Sequence, residues 1–321
     1  MADRHRSGQL RAAVTDGGKI TVPVPSRYAQ VRRLLAAAPL GGRVRSFPDP
    51  PAGPAEWRAR LAGAATVLHF FDDGRLPTDL LLEAAPRTVA IAGPAGGCVD
   101  AAALREAGIT VLDTPGCAVR AVAEHTVSLI LRAARAPLGH QPWGAEPQLP
   151  GVELGDAVLG LVGFGLVART VARLGQGLGM RVRTCSSHLT AQEAAALGVE
   201  RVPLDHLMSG SDVVSVHLRA TPETAGRLNR DLLGLLRPDT VLVNTARADV
   251  IDMAALRDLV RAGRLCRVAL DVLDVEPLPA DDILRTSPGV VVTPHTAWLT
   301  NRSIDRMVTQ AVTNCPTVQS S

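Results

Sequence analysis

The sequence predicts an α/β fold in two domains, each built on a parallel sheet covered by helices. Apolar runs of strand length alternate with segments of helical spacing through most of the 321 residues, which is the pattern of repeated strand–helix–strand units. A proline-rich stretch between 137 and 150 cannot continue a helix and separates the two halves. The second half opens with a strand that runs through a glycine turn into a helix.

The first half alternates short strands with helices. Asp100 is placed to cap one helix, and Pro39 ends another after residue 38. The pattern predicts strands at 10–14, from 44 onward, 65–71, 88–92 and 109–112, and helices at 27–38, 78–85, 100–106 and 118–135. Residues 48–54 are predicted to be an extended connection, and 137–151 a linker into the second domain.

The pattern of apolar runs in the second half predicts a doubly wound sheet of six strands. The strands are predicted at 158–162, 182–185, 212–216, 241–244, 268–271 and 290–292, and the helices near 167–178, 191–197, 230–236 and 253–262. Ligands of such sheets bind beyond the carboxyl ends of the strands. Polar residues at those ends are therefore the candidates for function.

The composition excludes several classes of partner. A net charge of +3, from 34 basic and 31 acidic residues, and an aromatic content of 2% do not favour a nucleic-acid surface. No apolar run approaches a membrane span, and the five cysteines are dispersed, without metal-ligand spacing. We expect a cytoplasmic protein with free thiols, no membrane partner, no nucleic acid and no metal.

The glycine turn follows the apolar strand 158–162. Gly163 allows a tight turn, Gly165 lets the backbone approach a phosphate, and small Ala168 lets the helix pack on the strand. The N–H groups and the dipole of the helix N-terminus suit a pyrophosphate. The turn therefore predicts a dinucleotide site, and the alternative is a plain strand–helix turn with incidental glycines.

Polar residues follow three later strands of this domain. Arg247 follows the strand 241–244, Asp271 ends the next strand and precedes Glu276, and His295 follows 290–292. Residues at the carboxyl ends of one parallel sheet can meet in one cleft. Taken singly, such a histidine is more often structural and such an arginine a surface charge, so the prediction depends on finding them together.

This set fits hydride transfer between a dinucleotide and a 2-hydroxy acid. Reduction of a carbonyl needs a proton donor that titrates near neutral pH, which favours His295. A carboxylate such as Glu276 can orient the imidazole and favour its charged form. Arg247 can present two parallel donors to a substrate carboxylate, which lysine does poorly.

The sequence resembles the D-isomer-specific 2-hydroxyacid dehydrogenases, which include phosphoglycerate dehydrogenase and glyoxylate/hydroxypyruvate reductase types. The resemblance extends from Val122 through Thr300. It rests on motifs in the family's order, at Gly163-Phe-Gly165, Ser211-Asp-Val-Val-Ser-Val-His-Leu218, Thr221-Pro-Glu-Thr224, Leu236-Arg-Pro238, Val243-Asn-Thr-Ala-Arg247, Ala269-Leu-Asp-Val272, Asp274-Val-Glu-Pro-Leu278 and Thr293-Pro-His295.

The resemblance implies a Rossmann-type doubly wound cofactor domain at 114–299 and a flavodoxin-like α/β substrate domain formed by 1–113 and 300–321. It implies Arg247 as substrate anchor, His295 as acid/base, Glu276 as its partner and Asp271 near the nicotinamide carboxamide. It implies that NAD or NADP contacts Gly163, Phe164, Gly165, Leu166, Val167, Ser186, His217, Thr245, Ala246 and Asp271. The substrate is expected at Gly93, Pro94, Ala95, Arg247 and His295. Family members are commonly homodimers.

Several residues depart from the family's pattern. Pro94 has no N–H to give to a substrate carboxylate. Ala248 replaces a glycine and is expected to shift the backbone of Arg247, and Leu166 replaces a phosphate-binding side chain. Arg219 and Arg267 replace a proline and a small residue. Ser186 stands at the family's acidic position, where Ser186, Ser187 or His188 can bind a ribose 2′-phosphate, so NADPH is predicted to be accepted at least as well as NADH.

Two other functions remain open from the sequence. A dinucleotide-sensing scaffold or corepressor on the same fold would explain changes in the substrate loop, although Arg247, Glu276 and His295 are all present. An amino-acid dehydrogenase is disfavoured because it would need a lysine near its substrate, and Lys19 is the only lysine.

Overall fold

The structure is a computed structural model that describes residues 18–40, 44–135 and 150–315. The chain divides into two compact units, one formed by Met1–Ala118 with Thr300–Ser321 and the other by Val119–Leu299. Each unit contains one parallel sheet. The fold is thus the predicted α/β fold with two parallel sheets.

The first unit contains a five-stranded sheet in the order β2-β1-β3-β4-β5. This is the flavodoxin-like order, in which the chain moves outward in both directions from β1. The strands are β1 (Lys19–Val22), β2 (Val44–Ser46), β3 (Ala64–Phe70), β4 (Thr88–Ala92) and β5 (Thr110–Leu112). The helices are α1 (Ala29–Ala37), α2 (Pro54–Leu61), α3 (Thr78–Ala84), α4 (Ala101–Glu106) and α12 (Asn301–Asn314).

The last helix, α12, holds the end of the first chain segment in this unit. The Arg306 Nε atom donates to the Cys117 carbonyl at 2.8 Å, and the Asn314 side chain donates to the Asp113 carbonyl at 3.2 Å. These bonds attach 113–117 to α12, and the two compact units meet in the sequence between Ala118 and Val119.

The second unit contains a seven-stranded parallel sheet in the order β12-β11-β10-β9-β6-β7-β8. The strands are β6 (Val158–Val162), β7 (Arg181–Cys185), β8 (Val199–Arg201), β9 (Val213–Val216), β10 (Val241–Asn244), β11 (Arg267–Leu270) and β12 (Val290–Val292). The helices are α5 (Val119–Arg135), α6 (Leu166–Gly177), α7 (Ala191–Ala196), α8 (Leu204–Gly210), α9 (Arg230–Gly234), α10 (Met253–Arg261) and α11 (Ile283–Thr286).

Two buried clusters cover the two faces of this sheet. One side packs against α5 and α6 through residues such as Leu129, Leu161 and Val171. The other packs against α8, α9 and α10 through residues such as Leu207 and Leu256. With both faces covered, the central strands β6, β9, β10 and β11 are buried along their whole length and mostly apolar, which is why the sequence alone predicts them well.

Side-chain caps explain where several helices begin. Asp100 accepts a hydrogen bond from the Ala103 N–H and starts α4 as predicted, and Asp252 does the same for α10. Thr190 and Glu193 form a reciprocal capping box at α7. These caps fix the loops that precede the helices, on which several candidate residues lie.

The fold differs from the sequence prediction at short elements. The strand predicted at 10–14 lies outside the described residues, and the first described strand is Lys19–Val22. The helix α2 starts at Pro54, in a stretch whose prolines predict an extended chain, because proline is tolerated at the first helical position. The sheet of the second unit has a seventh strand, Val199–Arg201, in which only Val199 is buried.

No helix within the described ranges is long and apolar enough to span a bilayer.

Candidate active site

The carboxyl ends of six neighbouring strands carry the candidate residues of the second unit. The strands β12, β11, β10, β9, β6 and β7 lie side by side in this order. Their ends are followed by, in the same order, His295, Asp271, Arg247, His217, the turn 163–165 and Ser186. The chain direction across the sheet reverses between β9 and β6, which is where ligands of doubly wound sheets bind.

The glycine turn after β6 requires glycine at its first position. Gly163 has a φ of 91°, and a Cβ atom there would lie 3.0 Å from the His217 carbonyl oxygen and 2.9 Å from Leu218. Gly165 is the N-cap of α6, without a side-chain cap, and a Cβ there would meet no atom within 4 Å. Open space therefore lies beside free N–H groups of a helix N-terminus, which fits a pyrophosphate.

The side chains of this turn leave phosphate binding to the backbone. The Phe164 ring is 8% exposed and belongs to the core, with the Arg169 guanidinium 5.3 Å from its centroid. Leu166 is 65% exposed and has no polar atom in its side chain, and Val167 packs partly against the core. A dinucleotide bound here would gain hydrogen bonds from main-chain N–H groups alone at this turn.

The loop after β10 is held by Asn244. Its Oδ1 atom accepts from the Ala246 N–H at 2.9 Å, and its Nδ2 atom donates to the Arg247 carbonyl at 2.8 Å. The Thr245 hydroxyl lies 2.7 Å from that of Thr126 on α5. Arg247 itself is exposed, with its Nη1 atom donating to the Ala246 carbonyl at 2.6 Å. The buried amide thus fixes the main chain that presents the Arg247 guanidinium.

Two departures from the family's pattern have a local structural account. Ala248 begins a 3-10 turn, Ala248–Val250, without a positive φ, and its carbonyl accepts from the Ile251 N–H at 2.9 Å. Arg267 is 4% exposed and donates to the Ala134 carbonyl at 3.2 Å and the Pro150 carbonyl at 2.5 Å. The Arg267 guanidinium therefore provides a hydrogen-bond donor for a carbonyl at the C-terminal end of α5. Its role is structural, and it lies away from the carboxyl edge of the sheet.

His217 and Ser186 end the two strands on either side of β6. The Nε2 atom of His217 lies 2.9 Å from the Ser215 hydroxyl, and burial lowers the pKa of His217 to about 4. Its imidazole is therefore neutral at pH 7. Ser186 is half-buried, and its hydroxyl accepts from the His188 N–H at 3.3 Å.

His295 and Glu276 form a pair at the outer end of the edge. The Nδ1 atom of His295 lies 3.1 Å from the Glu276 Oε2 atom, while the Oε1 atom of Glu276 accepts from the Leu273 N–H at 2.9 Å. His295 has a φ of 55° and is 44% exposed at its side chain. The carboxylate orients the ring so that the Nε2 atom remains available to a ligand. The pair also borders a cavity of about 660 Å³ in this unit.

Asp271 is buried beneath the turn that carries His295. It is 1% exposed, and its carboxylate accepts from the Thr293 hydroxyl at 2.5 Å and from the N–H groups of Thr296 and Ala297, each at 2.9 Å. Burial alone would raise the pKa of Asp271, but these bonds and one from His125 together lower it below its ordinary value. The carboxylate therefore fixes the backbone on both sides of His295.

Replacing Asp271 with asparagine is expected to lower the free energy of unfolding by about 1–3 kcal/mol at pH 7, because one amide N–H group would then face a backbone donor. The folded pKa lies below the unfolded value of about 3.9, so the stabilisation exists above that pH and is lost as the pH falls through the folded value. Urea unfolding from pH 7 to pH 3 measures the effect. The difference between the two proteins should shrink below about pH 4, and exposed Asp281→Asn should behave like wild type throughout.

The candidate substrate loop belongs to the first unit and follows β4. Gly93 has a φ of 124°, and a Cβ there would lie 2.1 Å from the Phe71 ring. The Gly93 N–H donates to the Thr114 hydroxyl at 2.8 Å, and Pro94 has no N–H. Of the three substrate residues predicted in this loop, only Ala95 retains a backbone N–H without an acceptor among the described residues.

The structure joins His295 and Glu276 by a hydrogen bond. The Asp271 carboxylate bonds to residues on both sides of His295 and to neither member of the pair. Arg247 follows the neighbouring strand β10 and makes no hydrogen bond to them in the described part of the chain. His125 is a residue of this site that the sequence does not assign, and its Nε2 atom lies 3.1 Å from the Thr293 hydroxyl and 3.5 Å from Asp271. It lies in Val122-Ala-Glu-His125, where the resemblance to the family begins, but Thr293 and Asp271 are far along the chain.

No group of three metal-ligating side chains occurs among residues 18–40, 44–135 and 150–315. The polar atoms of the candidate site are instead bound to one another or face open space. The doubly wound sheet, the glycine turn and the free N-terminus of α6 define a dinucleotide-binding α/β protein.

Comparisons with known proteins agree with this class. Residues 128–297 match the D-isomer specific 2-hydroxyacid dehydrogenase family, NAD binding domain. A glyoxylate reductase from Aeropyrum pernix is 34% identical over 275 residues, which are 81% of this chain and 82% of that protein. The TT0316 protein from Thermus thermophilus has a crystal structure that is similar at a TM-score of 0.77, with 30% identity, and covers 92% of this chain and 95% of that one.

A longer relative matches in part. D-3-phosphoglycerate dehydrogenase from Mycobacterium tuberculosis is 35% identical over 234 residues, which are 70% of this chain and 44% of that protein. The matched region thus spans less than half the length of this relative. The chain belongs to the D-isomer specific 2-hydroxyacid dehydrogenase family, and the resemblance found in the sequence motifs is confirmed.

Proposed function

We propose that this protein is an oxidoreductase that interconverts a small 2-keto acid and the D-2-hydroxy acid with a nicotinamide dinucleotide. The observation that carries the proposal is the pair formed by His295 and Glu276, 3.1 Å apart. The pair lies at the same sheet edge as the glycine turn and Arg247. Among the relatives, a glyoxylate reductase that matches over most of both chains favours a small substrate.

The proposed role of His295 is proton transfer to the carbonyl oxygen of the substrate. Its Nδ1 atom is held by Glu276, so its Nε2 atom is the one that can reach a ligand. In its imidazolium form the ring would donate the Nε2 proton to the carbonyl oxygen of the substrate. Asp271 acts indirectly, because it holds the backbone of the turn through Thr296 and Ala297.

Arg247 is the proposed anchor of the substrate carboxylate. A guanidinium can give two parallel hydrogen bonds to a carboxylate, which fixes the orientation of the acid. Its Nη2 atom has no acceptor among the described residues, and the loop that carries it is held by Asn244, which suits this role. The unit Met1–Ala118 with Thr300–Ser321 is the proposed substrate domain, and within its loop 93–95 the Ala95 N–H is the donor that has no acceptor among the described residues.

The dinucleotide, NADH or NADPH, is proposed to bind at residues 163–167 through main-chain N–H groups. Its nicotinamide ring supplies or accepts the hydride when bound. The residues of the chain that would complete the site are Ser186 at the ribose, and His217, Thr245, Ala246 and Asp271 along the same edge. We also expect a homodimer, which the mass of the protein in solution would test.

A panel of small 2-keto acids, assayed with NADH and with NADPH, tests the proposed function. At least one acid should be reduced, and chiral analysis should find the D-hydroxy acid as product. Glyoxylate, hydroxypyruvate and pyruvate sample different sizes and polarities at the carbon beside the carbonyl. Turnover of none of the panel with either dinucleotide would contradict the proposal.

A dinucleotide-sensing scaffold is the second candidate, and the substrate loop is the observation that favours it. The Gly93 N–H already donates to Thr114, and Pro94 has no N–H. The loop 93–95 therefore offers a substrate carboxylate fewer than three backbone donors. Tight dinucleotide binding without turnover of any 2-keto acid would favour this second function.

A further inference from the structure

Two consecutive residues of α5, His125 and Thr126, contact loops that follow two different strands of the sheet. The Nε2 atom of His125 lies 3.1 Å from the hydroxyl of Thr293, in the turn after β12 that carries the proposed acid. The hydroxyl of Thr126 lies 2.7 Å from that of Thr245, in the loop after β10 that carries the proposed anchor. One helix therefore contacts both of the loops on which the proposed chemistry depends.

The direction of the hydrogen bond between His125 and Thr293 follows from the number of protons available. A threonine hydroxyl has one proton, and Thr293 donates its proton to the Asp271 carboxylate at 2.5 Å. The Thr293 oxygen must therefore accept from His125, so the Nε2 atom of His125 carries a hydrogen. The same Nε2 atom lies 3.5 Å from the Asp271 carboxylate, which also favours an N–H group at this position.

The same reasoning assigns the bond between Thr126 and Thr245. Thr126 donates its one proton to the Val122 carbonyl, one turn earlier in α5, at 2.7 Å. It must therefore accept from the Thr245 hydroxyl. Thr126 is fully buried and Thr245 is 7% exposed, so water competes little for this bond. Each of the two bonds thus needs one particular group on α5, a donor at His125 and an acceptor at Thr126.

The turn that His125 contacts has a backbone conformation that L-residues rarely adopt. His295 has a φ of 55°, in the left-handed region, and such a conformation persists only where the surrounding structure fixes it. The Asp271 carboxylate holds two N–H groups after His295 and the Thr293 hydroxyl before it. The bond from His125 to Thr293 attaches this turn to α5 as well, outside the sheet.

We propose that His125 and Thr126 are positioning residues of the active site: His125 fixes the turn that carries His295, and Thr126 fixes the loop that carries Arg247. The helix α5 thereby sets the position of the acid relative to the anchor. This inference rests on the proposed function, because it takes His295 as the acid and Arg247 as the anchor. In these roles neither residue of α5 touches the substrate.

Replacing His125 with phenylalanine keeps a ring of similar size and removes the donor. We expect kcat for the keto acid to fall about 10-fold, because a small displacement of a catalytic group is enough to slow the reaction by such a factor. Glutamine can place an N–H group near the position of the Nε2 atom, so His125→Gln should retain at least about a third of the wild-type kcat. The KM for the keto acid and the dissociation constant of the reduced dinucleotide should change less than about threefold in both variants.

Replacing Thr126 with valine keeps the shape of the side chain and removes the acceptor of the Thr245 hydroxyl. We expect the KM for the keto acid to rise about 5-fold to 10-fold and kcat to change less than about threefold, because the loop after β10 presents the group that binds the substrate carboxylate. Thr126→Ser keeps a hydroxyl and should restore most of the wild-type KM. The His125 variants should thus change kcat, and the Thr126 variants KM.

The measurements are steady-state kinetics with the best 2-keto acid, calorimetric titration of the reduced dinucleotide, and urea unfolding, all with the full chain. Urea unfolding gives the folded fraction of each variant, so rates are compared per folded molecule. His206→Phe is the matched control for His125→Phe, since His206 is an exposed histidine on α8. It should match wild type in kcat, KM and dinucleotide affinity.

Three results would overturn the inference while the proposed function stands. Wild-type kcat in His125→Phe, or wild-type KM in Thr126→Val, would show that α5 does not position both loops. Equal losses in His125→Gln and His125→Phe would show that the donated hydrogen bond is not the cause. A loss of dinucleotide affinity as large as the loss of turnover in the His125 variants would show a general structural role. A wild type that reduces no 2-keto acid would overturn the proposed function and this inference with it.

Discussion

Replacing His295 with glutamine is expected to lower kcat for 2-keto acid reduction by about 100-fold to 10,000-fold, the usual contribution of a positioned acid. Glutamine can still donate a hydrogen bond to Glu276, but its amide cannot deliver a proton to the carbonyl oxygen. Dinucleotide binding should change little, because the glycine turn lies on β6, several strands away from β12 in the sheet. The effect should therefore appear in turnover and not in cofactor affinity.

Steady-state turnover and the dissociation constant of the reduced dinucleotide are the two measurements. His206→Gln provides the control, since His206 is exposed on α8, and it should match wild type in both. Near-wild-type turnover in His295→Gln would remove His295 from the role of acid. A large loss of cofactor binding would instead indicate a damaged fold.

Replacing Arg247 with alanine is expected to lower kcat/KM for the keto acid by about 30-fold to several thousandfold. This corresponds to about 2–5 kcal/mol for truncating one partner of a hydrogen-bonded charge pair. Arg247→Lys keeps the charge but loses the two parallel donors, so an intermediate loss is expected. The backbone of the loop should hold in both variants, because Asn244 bonds to the main chain of Ala246 and Arg247 and not to the guanidinium.

The values of kcat/KM and the affinity for the dinucleotide check this second expectation. Arg264→Ala is a suitable control, since Arg264 is an exposed arginine of the same unit. If Arg247→Ala retains the full kcat/KM for the acid that wild type reduces best, another group holds the carboxylate. Full recovery in Arg247→Lys would show that charge alone is needed.

The sequence predicts the buried strands well and the short exposed ones poorly. The strands Thr88–Ala92, Val158–Val162 and Val241–Asn244 have the predicted bounds, because continuous apolar runs mark strands covered on both faces. The edge strand Val290–Val292 also has the predicted bounds, because all three of its residues are valine. The strand Val199–Arg201 has one buried residue, so no apolar pattern distinguishes it from a loop. This segment is a strand because its backbone pairs with β7, and such pairing leaves no pattern in the sequence of its side chains.

The sequence likewise predicts only part of the candidate site. The pairing of His295 with Glu276 followed from residue type, strand ends and the family's motifs. The position of Arg201 beside Ser186 did not, because Arg201 lies on the edge strand β8, which only the folded sheet brings beside β7. The structural task of Asp271, which holds the turn around His295, was hidden for the same reason.

The most direct test of the central claim is a single-turnover measurement with a stoichiometric amount of bound NADPH and an excess of the best 2-keto acid. The proposed function predicts that wild type consumes the reduced nicotinamide and forms an equal amount of the D-hydroxy acid. His295→Gln, bound to the same NADPH, should react far more slowly. Bound NADPH that stays reduced in wild type with every 2-keto acid, or product of the L configuration, would contradict the account.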